Sequence, residues 1–302
     1  MKNSKAVTSN QICRSLLQKA VRRGAVSVAE KATIYLIQEG ESTWLRNRLG
    51  VITFEEIWAR TGDLQFTTDE NCLIAQYKNL ARSSKNKDAA GLGSLAYELS
   101  KGSFGVLTKN AQENRHIKIV AEAIKRPEDF WTWAKKNTSN LDFLHKAEIG
   151  YKYAGWPWDK AFALASAYLS ICGEVPPTTE HDLVSIALPF WVAIDKHTPT
   201  GKLALAKCAE KININKNTLG WIQFYLESSK CENLQTSPWW EREKAWRLQN
   251  EGLRDGKEKA IWQNISAYLH ELLEPQALKL ENDLNHSFAL YQSTLKNQEN
   301  LI

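Results

Sequence analysis

The sequence predicts an all-α protein, a multi-helix bundle. Three observations predict it. Apolar residues recur at three-to-four spacing along nearly every segment. No strand-like alternation persists, and no fixed-period repeat stands out. The periodic stretches are punctuated by Ser, Thr or Asn at their starts and by glycine at their ends. The 302 residues are 43% hydrophobic and 24% charged, values typical of a packed globular chain and long enough for one large domain or two ordinary ones.

In order along the chain, Ile12, Leu16, Leu17, Ala20 and Val21 of "SNQICRSLLQKAVRRG" share one helical face, with Ser9 or Asn10 as cap and Gly24 as stop. "SVAEKATIYLIQEG" has Ser27 in the cap position, Glu30 in the capping-box position and Gly40 as stop. "ESTWLRNRLGVITFEEIWARTG" runs to Gly62. The turns between these three are short, which predicts antiparallel neighbours. A fourth helix covers about 68–82, opened by "TTDE". "SSKNKDAAG" reads as a polar, mobile connection, and the small-residue segment "GLGSLAYELSKGS" follows. Pro127 opens "RPEDFWTWAKK". A polar seam at Asn137–Asn140 divides the chain into an expected N-terminal domain, 1–136, and a helical C-terminal domain, 137–302. Beyond it, "SNLDFLHKAEIGYKYAG", "PWDKAFALASAYLSICG", "TTEHDLVSIALPFWVAID" and "KLALAKCAEKI" read as helices, as do about 216–229, 238–250 and 258–273, before a polar C-terminal helix or tail. "EREKAWRLQNEGLRDGKEKAIW" reads as a solvent-exposed helical hairpin.

Composition narrows the function classes. The net charge of +5 permits contact with nucleic acid without requiring it. The five cysteines are scattered, without C-x-x-C spacing, so neither a zinc ribbon nor a redox motif is supported; reduced thiols and a cytoplasmic location are expected. "MKNSKAVTSNQICRSLLQ" has no apolar core, so no signal peptide is expected. The longest apolar runs, such as "SIALPFWVAI", are too short to span a bilayer. Twelve tryptophans, several in close pairs, are expected to lock helices together.

The first three helices resemble the C-terminal helical region of the replication-associated recombination protein A family, AAA+ ATPases related to clamp loaders. The resemblance covers about residues 12–103. Leu17, Lys19 and Arg22 fall on the pattern of one family helix; Arg46, Arg48, Leu49 and the run Glu55, Glu56 and Ile57 fall on another, with Glu56 where the family has Asp. Trp58 stands where the family has glycine, so the following turn must differ. "GLGSLAYELSKGS" resembles a further family segment. In that family the region packs on a neighbouring subunit and helps to form an oligomeric collar. The resemblance therefore implies a collar-like N-terminal part, self-association or a protein partner, and a link to DNA replication, repair or mobile-element maintenance. The motor is missing: no G-x-x-x-x-G-K-[ST] occurs, and after Gly201-Lys202 stands Leu203 instead of the Ser or Thr that would hold magnesium.

Two groups of residues are candidates for function. Lys19, Arg22, Arg23, Arg46, Arg48, Glu55 and Glu56 would form an interface, or the cations among them, with Arg14, a basic face that tracks DNA phosphates. Asp195, His197, Thr198, Thr200 and Lys202 in "DKHTPTGK" would form a polar cluster able to hold an anion at the start of a helix. The alternative for that region is an enzyme: His181-Asp182 with His145 and Asp195 would suit a metal-dependent helical phosphohydrolase, although capping of a helix explains the doublet as well. No catalytic residue, metal ligand or cofactor is assigned. The reading that results is a non-catalytic interaction or oligomerisation module, with a phosphohydrolase or nucleotide-binding protein as the alternative, and a helical interaction protein unrelated to DNA as a third.

Overall fold

The computed structural model describes residues 4–102, 112–173, 175–180, 187–253 and 256–299, and it is all-α: thirteen α-helices and no strand among the described residues. They are α1 (Ser4–Arg23), α2 (Val26–Gln38), α3 (Ser42–Glu56), α4 (Glu70–Arg82), α5 (Asp88–Lys101), α6 (Arg115–Lys125), α7 (Pro127–Asn137), α8 (Leu141–Tyr153), α9 (Pro157–Cys172), α10 (Pro199–Lys211), α11 (Lys216–Gln223), α12 (Pro238–Asn250) and α13 (Lys257–Glu299). Short 3₁₀ turns at Trp58–Asp63 and Phe190–Ala193, and one π-helical turn at Phe224–Ser228, complete the set.

The amphipathic logic of the first helices holds. Ile12, Leu16, Leu17, Ala20 and Val21 are fully buried. Gly24 and Gly40 end α1 and α2 with positive φ, +71° and +77°, a conformation that favours glycine. The caps differ from expectation. Helix α1 already begins at Ser4, so Ser9 and Asn10 lie inside it. Helix α2 starts at Val26, one residue after the backbone turn at Ala25, and Ser27 caps nothing. The third stretch does not run to Gly62 as one helix: Ile57 takes φ −151°, and the 3₁₀ turn follows. Buried Trp58 then donates its indole N–H to Asn86 at 2.9 Å.

The expected mobile connection is instead among the most buried segments of the chain. Ser83, Ser84, Lys85, Asn86 and Lys87 are 0–5% exposed. Backbone bridges tie Asn86 to Ile57, Ser83 to Glu180 and Lys85 to Leu234. The Lys85 ammonium donates to the carbonyls of Leu80, Ala81 and Ser83, closing the free C-terminal end of α4. Burial lowers its pKa to about 8. A polar run can be interior when every donor meets a carbonyl or carboxylate there.

Two further expectations change. "SIALPFWVAI" is not helical over 187–194; Pro189 fixes its own φ and lacks a donor, and only the short 3₁₀ turn follows. Its preceding part, 181–186, lies outside the described residues. The polar tail continues α13 as one 43-residue helix that passes through Pro275.

One hydrophobic core runs across the seam at 137–140. It joins Leu92 and Leu95 of α5 to Leu164 and Ala165 of α9 and to Trp240 of α12. Helix α2 packs on α13, and α1 on the 190–193 turn. The C-terminal half therefore covers faces of α1, α2, α3 and α5. A very close approach is at Gly91 in α5. A Cβ there would meet the backbone of Trp239 and Trp240 at 2.3 Å, so the start of α12 lies directly on the α5 backbone. Gly91→Ala should force these helices apart and lower the thermal midpoint by more than 5 °C, since backbone cannot yield as a flexible side chain does. Differential scanning calorimetry checks it; an unchanged midpoint would show that α12 is not tightly docked.

Candidate functional site

The charged residues of Thr43–Trp58 do not form a surface array. Glu56, at 0% exposure, accepts from Arg22 Nε at 2.7 Å and from Lys87 Nζ at 2.8 Å. Arg22 also reaches Glu55 at 2.8 Å and the Ser228 carbonyl. Arg23 donates to the carbonyl and carboxylate of Glu227, at 2.6 and 2.7 Å. The two carboxylates of α3 thus face one cation from α1 and one from the segment before α5. Burial pushes the pKa of Glu56 up, but Arg22 and Lys87 outweigh it and hold the carboxyl at about 2. Lys87 lies 4.5 Å from the ring centroid of Trp240.

A second buried pair stands beside the first. Lys19 donates to Asp195 at 2.7 Å, tying α1 to the loop before α10. Burial again raises the Asp195 pKa, and Lys19 and His197 together hold it well below the ordinary carboxylate range. The Asp195 backbone carbonyl accepts from Thr198 Oγ1 at 3.0 Å, and Thr198 caps α10 by accepting from Gly201 N–H at 3.1 Å. The turn is so tight that a Cβ on Gly201 would lie 2.0 Å from the Asp195 carbonyl oxygen. The third pair, Arg48 to Asp159 at 2.6 Å, joins α3 to the start of α9.

Between these pairs lies a cavity of about 700 Å³. Its walls come from α1, α3, α5, the start of α9, the 195–198 loop, α11 with its π turn, and α12. Lys19, Arg22, Arg48 and Glu55 from one predicted group meet Asp195, His197 and Thr198 from the other. The remaining candidates do not line it. Arg23 and Glu56 lie in the pairs described, and half-buried Arg46 stacks over Tyr153 at 4.6 Å. Thr200 and exposed Lys202 point elsewhere, and the Lys202 amide already donates to Thr198. The expected anion cradle at Lys202 is therefore not formed. Nor do Lys19, Arg22, Arg23 and Arg48 present an exposed basic face, because each is closed into an intramolecular ion pair. His181 and Asp182 lie outside the described residues, and His145 is exposed on α8.

The sequence does not signal Lys196, Asp159 or Glu243, all of which line the cavity. Lys196 sits 2.9 Å from the Trp221 ring centroid and 5.0 Å from that of Phe224. Burial lowers its pKa to about 7. Glu243 accepts from Tyr225 at 2.6 Å and from Arg247 at 3.3 Å, and burial pushes its pKa up. Glu243 and Arg247 are interior, so α12 is no exposed hairpin arm. The π turn that carries Phe224 and Tyr225 is the one irregularity by which this region could have been singled out, and such turns recur at functional sites, but propensity does not reveal it.

No protein-family model, no curated protein and no solved structure matches the chain.

Removing one member of the buried cluster leaves uncompensated charge. Glu56→Gln should destabilise by about 3–5 kcal/mol, measured by urea unfolding at pH 7. The pH dependence has a definite sign. A carboxyl held at about 2 contributes stability above its unfolded pKa near 4.5, and that contribution is lost as pH falls from 4.5 through 2. The parent should weaken over that window, and Glu56→Gln should weaken less steeply there. Equal slopes would remove the cluster from the acid response.

Proposed function

We propose that this chain is a non-catalytic helical interaction module, a binding unit whose receptor is the cavity between α1, α3 and the 195–198 loop. One observation carries the reading. The carboxylates that line the cavity are already engaged: Glu55 by Arg22, Asp195 by Lys19 and His197, Asp159 by Arg48, Glu243 by Tyr225 and Arg247. A general base must be free to take a proton from a reacting group. Here the acids act as structural acceptors, and the charged group left unpaired at the lining, Lys196, is a donor. Such a lining favours holding an acceptor-rich partner over abstracting a proton from it.

The association with DNA replication, repair or mobile-element maintenance is supported by the resemblance over about residues 12–103 and reaches this chain only as a proposal. We place any such association through a protein partner or a second copy of the chain. Direct tracking of duplex phosphates through the N-terminal cations is disfavoured, because Arg14, Lys19, Arg22, Arg23 and Arg48 are matched internally and Arg46 alone is left.

Turnover assays test the non-catalytic reading. With magnesium or manganese, the purified chain should hydrolyse neither nucleoside triphosphates nor phosphomonoesters above the level of a Lys196→Met, His197→Ala double variant. Metal-dependent turnover that this variant loses would instead support an enzyme using the 181–202 region. Duplex DNA supplies a separate check by fluorescence anisotropy. Binding should lack the steep slope in log Kd against log salt that several phosphate contacts produce; a slope near −4 or steeper would restore the basic-face reading.

A further inference from the structure

The charges around the cavity nearly cancel, and the residue that does not cancel is informative. Arg14 pairs with Glu41, Lys19 with Asp195, Arg22 with Glu55 and Glu56, and Arg48 with Asp159. Lys196 alone among the lysines and arginines that line the cavity has no carboxylate within ion-pair distance and no hydrogen-bond acceptor among the described residues. Its ammonium rests on the faces of Trp221 and Phe224. Cation–π contact holds an ammonium in place without using up its N–H donors. Arg14, also at the lining, stacks over Trp44 at 4.9 Å, and its buried Nε has no partner. His197, beside Asp195, has a side chain 63% exposed.

Much of the rest of the wall is aromatic. Trp44 is half-buried, and Trp156, 72% exposed, stands at the lining with an open indole face. A volume of about 700 Å³ falls within the range for small-molecule sites, on the order of 300–1,000 Å³. The required ligand has one compact anionic group for the donors and one flat ring for the indoles. An anion with several acceptor oxygens fits a set of separated N–H donors better than a single oxygen does.

We propose that this cavity binds a ligand of the nucleoside monophosphate class, its phosphate on Lys196 and its base against the exposed Trp156. The proposal rests on the binding-module reading and names its ligand. The phosphate supplies the counter-charge that Lys196 lacks; the base provides stacking, which is worth on the order of 1–3 kcal/mol per base in other nucleic-acid sites. The same chemistry is offered by a free mononucleotide and by the 5′-phosphorylated end of a single strand.

Isothermal titration calorimetry on the full chain tests this with AMP, adenosine, inorganic phosphate, an aryl carboxylate and a 5′-phosphorylated oligonucleotide. AMP should bind, and adenosine or phosphate alone should bind more weakly by about tenfold or more, because each lacks one of the two contacts. Lys196→Met should weaken AMP by about ten- to a hundredfold, the loss expected for a charged hydrogen bond. Lys196 is in no ion pair among the described residues, so Lys196→Met should keep the helical circular dichroism signal and a single cooperative thermal transition. Trp156→Ala, at an exposed position, supplies a variant that leaves the core intact and should weaken AMP and not phosphate. The groups facing Lys196 are Asp195, Arg247, Glu243 and Glu251, with His197 adjacent. Affinity should fall from pH 7 to 9 as the free amine loses its proton, and this fall should vanish in Lys196→Met. Tighter binding of the oligonucleotide than of AMP supports the proposal and assigns the strand end as source. AMP binding equally well to Lys196→Met, no heat with AMP at millimolar concentration, or an aryl carboxylate binding more tightly than AMP would each overturn it. None of these outcomes involves turnover, so the ligand can fail while the non-catalytic reading stands.

Discussion

The contact on which the rest of this structure depends is the buried one between Glu56, Arg22 and Lys87. It joins three pieces of chain, the end of α3, the last turn of α1 and the segment entering α5, of which α3 and that segment are also tied by the Asn86 amide donating to the Glu56 carbonyl at 2.8 Å. Each member is 2% exposed or less. The cluster is electrically closed, because Glu55 and Glu56 face two cations. Closure matters more than attraction here. Two paired buried charges are often no more stable than a well-packed apolar replacement, but one charge left alone is strongly unfavourable. The arrangement therefore discriminates. A packing in which α3 is rotated or the 83–87 segment is expelled leaves carboxylates or ammonium groups without partners, and the apolar contacts alone would penalise that far less. Arg22 extends the same constraint to the Ser228 carbonyl at the end of the π turn.

The site follows from how this framework is completed. Asp195 fastens the loop before α10 to Lys19, and its own backbone carbonyl receives the cap residue Thr198. Gly201 permits the close turn. With Asp195 drawn inward to α1, the next residue is held at the cavity wall, against Trp221 and Phe224, while His197 is left largely exposed. Lys196 owes its position to a neighbour's ion pair and its lack of a partner to the completeness of the others. A matched framework and one unmatched cation are two consequences of a single arrangement.

This explains what could be read from sequence and what could not. The helices were legible because burial of an amphipathic face is written locally: Ile12, Leu16, Leu17, Ala20 and Val21 declare their face by spacing. Glycine stops were legible at Gly24 and Gly40 because positive φ is a backbone requirement. The candidate residues were legible by type, since Lys19, Arg48, Asp195 and His197 do surround one cavity, but their partners were not. Nothing in "SSKNKDAAG" says that its lysines face carbonyls and Glu56 instead of water; that depends on residues from α3 and α4 arriving there. Lys196 was missed for the same reason. In sequence it is one more charge in a polar turn, and only the lack of a carboxylate within ion-pair distance among the described residues, a property of the fold, sets it apart.

The C-terminal half also changes what the proposed collar-like reading can mean for assembly. That reading implies that the first helices face a neighbouring subunit. Here faces of α2 and α5 are covered from within the same chain, α2 by α13 and α5 by α9 and α12, with α12 so close at Gly91 that no side chain fits between. An intramolecular neighbour is present at a far higher effective concentration than a separate subunit, so a face it covers does not become available without unfolding the contact. Self-association by the route that the resemblance implies would require α12 or α13 to detach from a core that they help to form through Trp240, Leu269 and Leu273. The proposed partner therefore has to meet the chain where it is open: at the cavity mouth, beside Trp156 and His197, where exposed aromatic surface and an unmatched cation lie together.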